Sequence, residues 1–120
     1  MGLFRRSTKA VDGGVGPLAA NDLVIDGAVL LDVRERQEWD AGHASKARHL
    51  PLSLLPRQLN QLPKDRRIVV VCRSGNRSAR AASLLAHSGF DALNLEGGMQ
   101  AWAAAGLPVI DKAGRAGRVA

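Results

Sequence analysis

Tyrosine is absent from this chain of 120 residues, and cysteine occurs once, at position 72. A lone cysteine excludes an internal disulfide framework and a cysteine cluster for zinc. It fits a reducing compartment. Aromatic residues make up only 3% of the chain, so no basic stripe interleaved with aromatics is available to stack bases. No apolar run approaches the roughly 20 residues that cross a bilayer. The first residues, Met1 to Ser7, lack the apolar stretch of a secretory signal. Arg6 stands where a myristoylation signal needs Ser or Thr. These absences read as a cytoplasmic protein with no membrane and no nucleic-acid partner. No metal or nucleotide motif is present, so no cofactor is expected.

The net charge of +6 would suggest a polyanion partner, but its placement argues otherwise. Arg5, Arg6 and Lys9 lie in the first ten residues with no acid, and Lys112, Arg115 and Arg118 face one acid, Asp111, in the last ten. Eleven basic and ten acidic residues remain between 11 and 110. The excess charge therefore sits at the ends. Residues 1–16 and 111–120 read as loose segments around one domain over 17–110, a size that supports a real core.

Within that domain, short apolar runs alternate with helical patterns. Strands are expected at 28–33, 47–50, 67–72 and 92–95. Helices are expected at 19–25, 35–41, 52–62, 78–88 and 99–105, with Gly42, Gly89 and Gly106 as their stops. Such alternation implies a mostly parallel sheet covered by helices on both faces. Ligands of such sheets sit beyond the carboxyl ends of the strands. Cys72 is at one such end, and Asp32-Val33-Arg34 is at another.

Cys72 closes the run Ile68-Val69-Val70-Val71 and opens the loop Arg73-Ser74-Gly75-Asn76-Arg77 before a helix. Backbone N–H groups and a helix start favour an anion there. The small residues Ser74, Gly75 and Asn76 allow successive N–H groups to point inward as a nest. Arg73 and Arg77 add positive charge. A thiol so placed ionises more readily, and the thiolate is the nucleophile. Trp39 and Trp102 read as core packing. His43 reads as a backbone-bonding histidine, and His49 and His87 have no assignable partners.

These pieces together resemble the rhodanese family of sulfurtransferases. The resemblance rests on Leu31-Asp32-Val33-Arg34-Glu35, Glu38-Trp39, Gly42-His43, Leu50-Pro51, Cys72 to Ser78, Glu96 to Trp102, and Gly106-Leu107-Pro108, in that order. It implies a three-layer α/β domain with a central five-stranded sheet and a catalytic Cys72 that carries a persulfide. It also implies Arg73, Ser74, Gly75, Asn76 and Arg77 as the donor-binding cradle. Asp32, Arg34 and Ser78 would support the site, with Asp32 and Arg34 as an ion pair bracing the loop. The expected partners are a small anionic sulfur donor such as thiosulfate and a cyanide, thiol or protein acceptor. With no second cysteine, the sulfur must leave to an outside acceptor. The segment Ala44-Ser45-Lys46-Ala47 departs from the family pattern and is expected to reshape the pocket rim. Two other readings stay open. One is a phosphatase or arsenate reductase of the same fold, although those carry five residues between cysteine and arginine where this chain has four. The other is a persulfide carrier or interaction module without turnover.

Overall fold

The structure is a computed structural model and describes residues 14–120. Five parallel strands form one sheet: β1 (Gly14–Val15), β2 (Val29–Asp32), β3 (Arg48–His49), β4 (Ile68–Val71) and β5 (Ala92–Leu95). Their order is β1-β5-β4-β2-β3. The central strands β2 and β4 are buried throughout, as expected of a parallel sheet covered on both faces. Register pairs Leu31 with Val70 and Asp32 with Val71, so the ends of β2 and β4 finish level.

Alternation along each strand divides the core in two. Leu31, Ile68, Val70 and Cys72 share one face with Ala81, Ala82 and Leu85 of α3 (Asn76–His87). Leu30, Val69, Val71 and Leu93 share the other with α1 (Pro17–Ile25) and α4 (Gly98–Ala104). A short α2 (Arg36–Ala41) follows β2.

Three expectations are corrected. The helix expected over 52–62 is two 3-10 turns, Leu52–Arg57 and Leu59–Gln61. Pro56 lies inside the first, where it has no N–H for an α-helical ladder. The folded part begins before residue 17, because Gly14–Val15 pair with Asn94–Leu95 as an edge strand, and α1 starts at Pro17, a residue suited to a first helical position. The other N-terminal residues, 1–13, lie outside the described residues.

The third correction concerns residues 111–120, which dock onto the domain. The N–H groups of Lys112 and Arg118 donate to the carbonyls of Asp40 and Ala41 at 3.0 Å each. Those carbonyls belong to the last turn of α2, which has no partners of its own for them. Ile110 bridges His43 on one side and Ala116 on the other. Val109 and Val119 pack against the second core face.

Candidate active site

Parity along β4 sends the Cys72 side chain to the α3 face, under the first turn of that helix. The chain turns from β4 into α3 through Gly75, whose φ of 112° lies in the left-handed region that glycine adopts freely. The turn brings Gly75 N–H to 3.1 Å from Cys72 Sγ, and the Ser78 hydroxyl to 3.2 Å. Burial pushes the thiol pKa up. The Ser78 hydroxyl and the amides of Ser78, Gly75 and Ser74 pull it down, and they prevail. The sulfur lies at the floor of this ring, with Cys72 only 1% exposed.

The loop is held from behind by α4. Met99 N–H donates to Cys72 O at 2.8 Å, and Gln100 N–H to Arg73 O at 3.0 Å. This approach requires Gly98: a Cβ there would stand 2.5 Å from both carbonyl oxygens, and φ is 60°. Backbone contact thus accounts for Gly98 in the Glu96 to Trp102 motif.

The two loop arginines, expected in the donor-binding cradle, each have a partner within the protein. Arg77 forms a fork with Glu38, Nη1 to Oε1 and Nη2 to Oε2, both 2.8 Å. Glu38 also accepts from Glu35 N–H at 2.9 Å. Arg77 chiefly holds the Glu38 pKa down at about 2, against the burial that raises it. The pair raises the Arg77 pKa in turn, and a Cys72 thiolate adds to that effect. Arg73 donates from Nε to Ala120 O at 2.9 Å. The Gln100 amide, its oxygen turned to these donors, lies 2.9 and 3.2 Å from Arg73 Nη1 and Nη2. Asn76 is exposed at the start of α3.

Asp32 and Arg34 form a fully buried ion pair, with Nη2 to Oδ2 at 2.8 Å and Nε to Oδ1 at 2.9 Å. The same Nη2 reaches Gly42 O at 2.7 Å, so the pair anchors the end of α2. No hydrogen bond joins it to the cysteine loop among the described residues. His43 bonds Trp39 O through Nδ1 at 2.7 Å, and His49 bonds Arg34 O through Nε2 at 2.7 Å. Trp39 stacks on both imidazoles, with ring centroids 3.6 and 4.8 Å away, and it is half-buried outside either core face. The reading of Trp39 as core is corrected accordingly. Trp102 is core, and its indole N–H donates to Pro108 O. Ala44 to Lys46 line a cavity of about 250 Å³ beside α1 and Trp102, and none of its lining residues belongs to the cysteine loop.

Sequence reasoning missed Asn94. Its Oδ1 lies 2.6 Å from Ser78 Oγ and its Nδ2 lies 3.3 Å from Gly75 O. The available signal was an amide side chain within a strand, where Asn is disfavoured.

Fold and loop together define a parallel α/β domain that presents a thiol to an anion-stabilising nest. The chain belongs to the rhodanese-like domain family, whose model matches residues 17–105. It is 42% identical over 83 residues to a sulfurtransferase of Allochromatium vinosum, covering 68% of this chain and 78% of that protein. It is 44% identical over 77 residues to a Mycobacterium tuberculosis protein named "Probable adenylyltransferase/sulfurtransferase MoeZ", covering 62% of this chain but 20% of that longer protein. A crystal structure of a rhodanese-related protein from Thermoplasma volcanium superposes with a TM-score of 0.76 at 32% identity, covering 81% of this chain and 96% of that one.

Proposed function

We propose that this chain is a sulfurtransferase that moves a sulfane sulfur from thiosulfate or a similar small anionic donor to a thiophilic acceptor through a persulfide on Cys72. The Cys72 thiolate attacks the outer sulfur of thiosulfate. A new S–S bond forms, the old one breaks, and sulfite leaves with its electron pair. Cyanide, a thiol or a protein acceptor then attacks the outer sulfur and releases the thiolate. The convergence of Gly75 N–H and the Ser78 hydroxyl on Sγ carries this reading, since fixed donors stabilise charge at low reorganisation cost. Ser74 N–H adds to it. The near-complete cover over Cys72 favours a small donor. Arg77 acts by charge on the thiolate, and Arg73 and Asn76 shape the rim.

The commitment of both Arg77 Nη atoms to Glu38 weighs against a phosphatase, whose arginine must grip the oxyanion itself. The absence of a second cysteine from the sequence weighs against a reductase that resolves its own intermediate.

The test is mass spectrometry after thiosulfate exposure, followed by cyanide. One sulfur atom added to the Cys72 peptide and continuous thiocyanate release are expected. Loading without turnover indicates the carrier reading. No loading, or loading that persists in Cys72→Ser, overturns the proposal.

A further inference from the structure

The Ser78 hydroxyl has one proton and two acceptors. Cys72 Sγ lies at 3.2 Å and Asn94 Oδ1 at 2.6 Å. Ser78 is fully buried, so this proton is shared within the protein. The orientation of the Asn94 amide is fixed, because its Nδ2 donates to Gly75 O and leaves the oxygen toward Ser78. Asn94 sits in β5 opposite Val70 of β4, one turn of the pleat from the cysteine.

We propose that Asn94 is a positioning residue for the sulfur chemistry: its Oδ1 competes with Cys72 Sγ for the Ser78 proton and so sets how readily the thiol ionises. This rests on the reading above that Cys72 is the reacting sulfur. In the thiol state, Sγ–H donates to Ser78 Oγ and the hydroxyl donates to Asn94. When the thiol proton leaves to water, the hydroxyl turns and donates to the thiolate, and Asn94 loses its bond. Ser78 therefore favours the thiolate while Asn94 favours the thiol. The same exchange accompanies persulfide formation, since the charge leaves Sγ for the outer sulfur.

The charged groups around the thiol have other partners. Arg77 of α3 is held by Glu38 of α2, beside Glu35. Arg73 of the loop is held by Ala120 O. Asp32 and Arg34 at the end of β2 hold each other. Glu96, after β5, is exposed. None of their hydrogen bonds involves Ser78 or Asn94 among the described residues, so the exchange runs against a constant electrostatic background.

The test titrates the thiolate by ultraviolet absorbance and by alkylation rate against pH, in protein carrying no persulfide. One hydrogen bond to a charged sulfur corresponds to a rise of about one pH unit in Ser78→Ala, and loss of the competing acceptor to a fall of about half a unit in Asn94→Ala. In the Ser78→Ala background, Asn94→Ala should change nothing further. Asn94→Leu, which keeps the volume, repeats the measurement if the alanine variant folds poorly, and Ser78→Thr should restore the wild-type profile. A rise in either Asn94 variant overturns the proposal. So does an equal shift with and without the Ser78 hydroxyl, which would mean that Asn94 acts only by bracing the loop. The readout needs no sulfur donor, so a failure of sulfur loading is recognised separately.

Discussion

Arg77 and Glu38, 39 positions apart in the chain, meet as a planar fork with both N–O distances at 2.8 Å. The contact ties the helix that starts at the sulfur loop to the short helix after β2. It also places a carboxylate against a cation whose charge is felt at the thiol, which moderates the positive field there.

The pair makes stability depend on acid. Glu38 has a folded pKa of about 2 against an ordinary 4.5, so between those values the unfolded chain binds more protons. The pair's contribution is fully present above about pH 4.5 and is lost as pH falls toward about 2. Glu38→Gln should cost about 1 kcal/mol at neutral pH, and the gap from wild type should close in acid. Urea unfolding at several pH values measures it.

Arg77→Ala should lower kcat/KM for thiosulfate about tenfold, equivalent to about 1.4 kcal/mol of transition-state stabilisation. Arg5→Ala should leave it near wild type, because Arg5 belongs to the basic N-terminal run rather than the loop. Steady-state thiocyanate assays compare the two, and equal losses would mean that only long-range charge matters.

Asp32→Ala should be among the most damaging changes in the molecule. It leaves the guanidinium of Arg34 buried without its counter-ion, a situation that costs about 3–5 kcal/mol. Thermal unfolding should show a lowered midpoint, and a midpoint near wild type would refute the account.

Gly98→Ala tests the contact behind the loop. The new methyl collides with the carbonyls of Cys72 and Arg73, so both stability and sulfur transfer should fall, stability by about 1–3 kcal/mol. Gly106→Ala is the control. Its φ is also positive, at 83°, but no atom lies within 4 Å of the added Cβ, so sulfur transfer should survive. The two variants are compared by unfolding midpoint and thiocyanate release.

The sheet and the loop were legible because both are written in contiguous residues. Ile68 to Val71 announce a strand, and Cys72 to Ser78 carry the nest in their own backbone. What was illegible came from distant pairings. The register of Gly14–Val15 depends on β5, some eighty residues away, and two residues carry no periodicity. The docking of residues 111–120 depends on unfilled carbonyls at the end of α2. The fates of Arg73 and Arg77 were set by Ala120 and Glu38, which no local motif connects to them. Leu52 to Leu62 misled by helical spacing, which Pro56 and a 3-10 backbone serve as well.

Ala120 accepts a hydrogen bond from Arg73 in the sulfur loop, so whatever is joined after it emerges at the mouth of that loop. A fusion or affinity tag placed there would sit against Arg73 and crowd the approach to Cys72, so kinetic work calls for protein that carries no tag at that position.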